Sequence, residues 1–301
     1  MAATTFTGQE IYAKQLFQSL TPQLAPLKGF STDFSQEAKA PGESVSVQLV
    51  EADSVADFGP SNNFKRSAST NKKVTVTFGT AKIAGFNVTP YQIANFNPGW
   101  WKQKAELNAN TMADAILSSV AGLVTTANFT NAPFALSAPD AVTLAEVAKL
   151  KAAAVRANIN PRRASIYLMP ELFTALENLY NTAKSGLTHA QAMSELAAAC
   201  GVAGVYMIPQ VAAPTSTTAK VVGWISEPSA LAFAARNFRP ASDKPYESVR
   251  EIVDPDTGIG MTMVEYVDGD MGNLNESVTG LFNAAVGVKE ALTPITAKKA
   301  S

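Results

Sequence analysis

His189 and Cys200 are the only histidine and the only cysteine in this 301-residue chain. These are the side chains that most often run catalysis near neutral pH. His189 follows Thr188, a favoured helix N-cap residue. A helix N-terminus lowers an imidazole's pKa and favours the neutral form used as electrophile or base. No Gly-x-Ser-x-Gly elbow accompanies it. Cys200 closes an Ala-rich run, where a free Cys behaves as a small core residue. The expectation is a surface His and a buried Cys. Together they fall short of the ligand set of a zinc site, and a lone Cys has no disulfide partner within the chain.

Carboxylates are the next source of chemistry. Asp254, Asp256 and Gly258 form one Asp-x-Asp-x-Gly, and Asp268, Asp270 and Gly272 form another. A calcium loop needs several more oxygens and a bidentate Glu at a fixed offset, which neither supplies. Asp and Gly are also the expected residues of hairpin turns. A carboxylate pair for acid–base work would meet only in three dimensions, so spacing neither finds nor excludes it. Neither glycine-rich phosphate loop pattern is present. No metal or cofactor is expected, and the chain reads as a non-enzyme.

Phe64, Lys65 and Arg66, with Lys72 and Lys73 nearby, make a local basic cluster. Arg162 and Arg163 are too small a patch for a nucleic-acid footprint. Net charge is −1, so no global field would hold nucleic acid or an anionic membrane. Charged residues are 16% of the chain, which is low. A largely neutral surface is expected to be covered by something. The opening residues lack a basic start followed by an apolar core, so no secretory signal is expected. The weakly polar run 196–208 is too short to span a bilayer. The expectation is a soluble protein made inside the cell.

The element that organises the chain is the stretch 97–126. Asn97 is a favoured N-cap, and Pro98 suits the first helical position. Trp101, Ala105, Met112, Ile116, Val120 and Leu123/Val124 then recur at helical spacing, interrupted at Asn108. Running to Thr125, this helix would be about 40 Å long. Ahead of it, 1–30 reads as a short helix and an extended arm laid across another surface. Residues 44–51 and 73–83 alternate with period two and pair as a hairpin. The polar tip 52–72 between them is longer than ordinary connections, so the hairpin is expected to lean on something outside its own core.

After the long helix, 143–238 alternates helix and strand, which points to an α/β lobe. Capping boxes are expected at Thr143 with Glu146 and at Thr188 with Gln191. Strands are expected at 164–169, 202–208 and 220–226, and helices at 170–180 and 228–238. The small-residue loop 209–219 contains Pro209 and Pro214. Strands at 246–253 and 260–267, a turn at 269–273, a last strand or pair at 276–288 and a polar tail complete the chain.

This order of elements resembles the major capsid proteins of tailed bacteriophages, the Hong Kong 97-type fold. The stretches PRRASIYLMPELFTALENL, GVAGVYMIPQVAAPTSTTAKVVGWISEPSALAFAARNF and DPDTGIGMTMVEYVDGDMGNLNESVTGLFNAAVGVKEAL carry the texture of that family. The resemblance implies an α+β fold in five parts. These are an N-terminal arm (1–41), an E-loop hairpin (42–84), a peripheral domain with the spine helix (85–140), an α/β axial domain (141–243), and a return to the peripheral sheet with a C-terminal tail (244–301). It implies assembly contacts at Phe64, Lys65, Arg66, Lys72 and Lys73 of the E-loop. Pro209 and Pro214 would lie near a capsomer axis, and Asp270 and Asn273 at a local three-fold contact. Pentamers and hexamers would close an icosahedral virion shell around double-stranded DNA, without sequence-specific binding and without a membrane. Assembly would take place in the host cytoplasm, with a separate scaffolding protein, a portal protein and decoration proteins as partners. The alternatives are an encapsulin-like compartment shell and a carboxylate-dependent enzyme, the latter requiring a deep pocket with two carboxylates.

Overall fold

The computed structural model describes residues 2–34, 39–49, 72–95, 97–136, 143–183, 189–216, 218–238, 248–254 and 258–299. The first helix, α1 (Ala2–Gln23), is longer than the sequence suggests. Tyr12, Leu16 and Leu20 fall four apart along it and are buried, the spacing that stacks side chains on one face. A 3-10 turn over Ala25–Gly29 follows, then strand β1 (Ser31–Phe34). So this stretch is not a short helix with an extended arm: it lies on the chain's own core.

The hairpin is β2 (Ser44–Leu49) and β3 (Lys72–Thr77), antiparallel with Ser44 opposite Thr77 and Leu49 opposite Lys72. The expected continuation through Ile83 does not occur. The ladder stops at Thr77, Phe78 turns inward, and β4 (Lys82–Val88) starts afresh with a different partner. Nor is the hairpin without support from its own chain. Val47, Leu49, Val76 and Phe78 pack on Ala232, Ala234 and Leu281.

Helix α2 (Pro90–Ala94) opens with a capping box of Thr89 and Gln92. The long helix, α3 (Pro98–Ala121), starts as its sequence dictates, with Asn97 Oδ1 accepting from the Gly99 N–H at 2.9 Å. It buries Trp101, Ala105, Ala109, Met112, Ile116 and Val120. Asn108, the break in the stripe, donates from Nδ2 to the Tyr12 hydroxyl at 2.7 Å. The apparent defect is one of the polar bonds between α1 and α3.

Strand β5 (Phe134–Ala135) precedes α4 (Leu144–Arg156), which has the expected Thr143–Glu146 capping box. Then come β6 (Ser165–Leu168), α5 (Pro170–Ala183) and α6 (His189–Cys200). Thr188, half of the second expected capping box, lies outside the described residues. Gly201, at φ +65°, ends α6 in the left-handed conformation that favours glycine. Strands β7 (Gly204–Met207) and β8 (Lys220–Ser226) follow.

The helix expected over 228–238 is instead a 3-10 turn at Pro228–Ala230 and a strand, β9 (Leu231–Asn237). Leu231, Phe233 and Ala235 face one core, while Ala232 and Ala234 face the hairpin. A strand covered on both faces reads as a continuous apolar run, which periodicity alone does not separate from a helix. Arg236 ties β1 to β9. It is buried, donates to the Asp33 carbonyl at 2.8 Å and pairs with its carboxylate at 3.0 Å.

The chain ends in β10 (Ser248–Val253), β11 (Gly260–Val267), β12 (Leu274–Val286) and β13 (Leu292–Ala297). The last of these replaces the start of the expected polar tail. The Leu292 carbonyl faces the edge where Asn131 donates to it at 2.9 Å. Pro294, two residues on, turns its missing N–H to the same edge, and β5 covers only Ile295 and Thr296 there. No ladder bond is lost.

Two larger sheets result. One runs β1-β9-β12-β11-β10, with β4 also on β12; the other runs β5-β13-β8-β6-β7. β9, from the 141–243 stretch, belongs to the first sheet, and β13, from the 244–301 stretch, to the second. The sheets therefore do not follow the sequence division. Helices α1 and α3 cover the first sheet, and α4, α5 and α6 share a second core with the other. Tyr167 joins them: it stacks on Phe30 at 4.8 Å and Trp224 at 5.0 Å, and its hydroxyl donates to the Pro26 carbonyl at 3.1 Å. Leu16→Ala is expected to cost about 2–5 kcal/mol and Asn97→Ala about 1 kcal/mol. Both are read from urea unfolding of the full chain.

Candidate functional site

Of the two catalytic residue types, only Cys200 has a described side chain. His189 opens α6. Cys200 is buried, and burial pushes its thiol from 9.0 up to about 11, with Lys151 pulling the other way. A thiol so placed is a poor nucleophile. Of the two Asp-x-Asp-x-Gly stretches, 268–272 is a turn, and only Asp254 and Gly258 of the other are among the described residues. Asp254 accepts from Thr21 Oγ1 at 2.8 Å, and its carbonyl accepts the Gly258 N–H at 2.8 Å. Asp268 accepts the Asp270 N–H on its side chain at 3.0 Å and the Gly272 N–H on its carbonyl at 2.7 Å. Among the described residues no group of three or more ligand-type side chains converges. No described helix is long and apolar enough to cross a membrane.

A carboxylate pair does exist among the described residues. Glu265 and Glu276 stand directly opposite each other on β11 and β12, both buried. Burial first, then Glu265, raises Glu276 from 4.5 to about 8, against the opposing pull of Arg250. A cavity of about 460 Å³ lies between the end of α3 and the 209–219 loop, lined by Gln210, Trp224 and Thr296 among others. A second, of about 220 Å³, lies beside Thr21, Leu24, Phe34 and Ile259. Neither is lined by either glutamate.

The residues expected to make assembly contacts are scattered. Phe64, Lys65 and Arg66 lie outside the described residues. Lys72 and Lys73 are exposed at the far end of the hairpin ladder. Pro209 is exposed and Pro214 buried in the β7–β8 connection. Asp270 and Asn273 share the β11–β12 turn, Asp270 exposed and Asn273 buried.

What sequence reasoning missed surrounds that turn. Tyr91 is 78% exposed and Met271 72%, with Val267 and Tyr266 also open. Val267 pairs with Leu274, and Leu274 pairs with Val88 at the end of β4. A Cβ on Gly272 would stand 3.7 Å from Pro90. So α2, carrying Tyr91, abuts the turn carrying Met271. The available signal was Met271, at a position where turns ordinarily carry polar residues.

Comparison with solved structures places this architecture. The capsid of cyanophage P-SCSP1u aligns over 90% of this chain and 87% of its own, with TM-score 0.51 and 11% identity. The fold is that of a phage capsid protein. The virus-like particle of Pyrococcus furiosus aligns over 96% of this chain and 98% of its own, with TM-score 0.52 and 12% identity. The capsid of an empty GTA particle aligns over 92% and 90%, with TM-score 0.52 and 12% identity. No protein-family model and no curated protein sequence matches. The likeness to capsid proteins is one of fold.

For Cys200, the rise from 9.0 to about 11 alone cuts the thiolate fraction at pH 8 about a hundredfold. Alkylation by iodoacetamide, followed by mass spectrometry, should be at least that much slower in the native chain than in denaturant.

Proposed function

We propose that this chain is a major capsid protein, a structural subunit with no catalytic role. Copies assemble into pentamers and hexamers that close an icosahedral shell around packaged double-stranded DNA. The observation that carries this reading is the capsid fold extending over nearly the whole chain, 90% against the cyanophage capsid. In this reading 1–41 is the N-terminal arm, 42–84 the E-loop and 85–140 the peripheral domain with α3 as spine helix. Residues 141–243 would be the axial domain and 244–301 the return to the peripheral domain, except that β9 lies in the sheet of β12 and β13 in the sheet of β6, β7 and β8.

The surface supports the same reading. Tyr91 and Met271 stand exposed near Asp270, and large apolar side chains left open on neighbouring elements suit a protein contact. The partner proposed for it is another copy of this chain at a local three-fold junction. Lys72 and Lys73, with the hairpin tip, would reach over an adjacent subunit. The β7–β8 connection with Pro209 and Pro214 would line a capsomer axis. A net charge of −1 suits a wall that encloses DNA without gripping it. A separate scaffolding protein and a portal protein are the proposed partners, with decoration proteins on the outside. The shell would assemble in the host cytoplasm and end in the virion.

A second reading has one specific support, the full-length fold match to the virus-like particle of Pyrococcus furiosus. It is an encapsulin-like compartment loaded with a cargo protein. Electron microscopy of particles purified from expressing cells, with assay of their contents, separates the two. Packaged DNA beside scaffold and portal favours the phage capsid, and a defined enzyme cargo favours the compartment. Particles of neither kind would contradict both. Replacing Tyr91 and Met271 together by Ser should leave stability within about 0.5 kcal/mol, as exposed positions do. Particle yield by gradient sedimentation should fall about tenfold or more, the loss that ~1.4 kcal/mol of contact energy gives.

A further inference from the structure

Glu276 occupies a place that the sheet reserves for apolar side chains. Along the inward face of β12, Leu274, Val278 and Phe282 pack into the core beneath α1 and α3, and Glu276 falls in the same alternation. Its neighbours across the ladders are Phe86 on β4 and Glu265 on β11. Directly opposite residues share a face and stand side by side. Phe86 packs on Tyr12 at 5.4 Å and on Trp100 and Trp101 at 5.3 Å each. So the carboxyl lies under Tyr12 of α1 and the first turns of α3. Glu276 is 1% exposed, and neither of its carboxyl oxygens has a hydrogen-bond partner.

Glu265 faces Glu276 from β11 and Arg250 acts on it from β10. From α1 comes Tyr12, whose hydroxyl is taken by Asn108 of α3. From β4 comes only Phe86. The remaining α3 charges nearby stay at the rim: Lys104 lies over Trp100 at 5.5 Å, and Glu106 accepts from Gln15 at 3.1 Å. Lys14 of α1 is exposed. Among the described residues, Arg250 is the cation that acts on Glu276.

Two adjacent buried carboxylates do not both ionise readily, and an unpartnered one is tolerated only as the neutral acid. To ionise, Glu276 needs water. β12 is held by ladders on both edges. α1 is held by side-chain packing and by the side-chain bonds Asn108–Tyr12, Gln15–Glu106, Gln23–Asn110 and Thr21–Asp254, with no backbone ladder among the described residues. It is therefore the weaker cover and the one that lifts. We propose that Glu276 and Glu265 form a proton-operated latch beneath α1, in which α1 stays seated while Glu276 is protonated and its unseating releases that proton. The latch rests on the fold and not on the capsid reading. Within a shell it would free α1 to reach a neighbouring copy.

The sign follows from linkage. The seated form holds its proton up to about pH 8, and a hydrated Glu276 only to its ordinary 4.5. The stabilisation of the seated form is complete below about 4.5 and is lost progressively as pH rises to about 8. Hydrogen exchange of the full chain by mass spectrometry, between pH 5 and 9 and corrected for intrinsic rates, reads this directly. Opening of α1 should rise about tenfold per pH unit up to about pH 8 and then level off, the behaviour of one linked proton. The amides of α5 should not follow. Glu276→Gln should flatten the α1 profile. Glu265→Gln, which removes the like charge, should move the levelling point to lower pH; it decides the matter if Glu276→Gln does not fold. An α1 profile that is flat in the wild type, that persists in Glu276→Gln, or that is unmoved by Glu265→Gln would overturn the latch.

Discussion

The pairing of β12 is the constraint on which the rest of the structure depends. Its residues from Leu274 to Thr279 pair with β11 on one edge. On the other edge β4 takes Leu274 to Gly280, and β9 continues from Gly280 to Val286. One strand thus joins the segment before the long helix, the segment after the α/β lobe and the C-terminal meander. Close approach is built into it: a Cβ on Gly85 would come within 2.7 Å of the Glu276 carbonyl oxygen. Once β12 is paired, its inward face must be covered, and α1 and α3 cover it. Its outward face at Leu281 is covered by the β2–β3 hairpin.

The parts of this fold that were legible in the sequence are those decided locally. Asn97 and Thr143 cap their helices because a side chain two or three residues away from an unpaired N–H can reach it wherever the helix ends up. The stripe of α3 shows because one face is buried and the other is wet. What failed depended on partners far along the chain. β9 looked like a helix because both its faces are covered. β13 looked like a tail because its partner, β8, lies more than sixty residues away in sequence. Asn108 looked like a defect until Tyr12 arrived from α1.

The candidate contact surface was half legible. The turn holding Asp270 and Asn273 announces itself by its Asp and Gly residues. The exposed Tyr91 and Met271 beside it do not, since apolar residues are ordinarily assigned to the core. The glutamate pair was invisible for the same reason as β9. Glu265 and Glu276 are adjacent only because β11 and β12 pair in one register. Both features depart from the rule that apolar residues go inside and charges outside, and such departures concentrate at functional sites.

Sedimentation velocity of the wild-type chain, expressed alone and with a candidate scaffolding protein, is the most direct measurement of the claim that this fold is a shell subunit. Closed particles or hexameric sheets, sedimenting far ahead of a single 31.7 kDa chain, are the predicted result. A well-behaved monomer at high concentration under both conditions would contradict it.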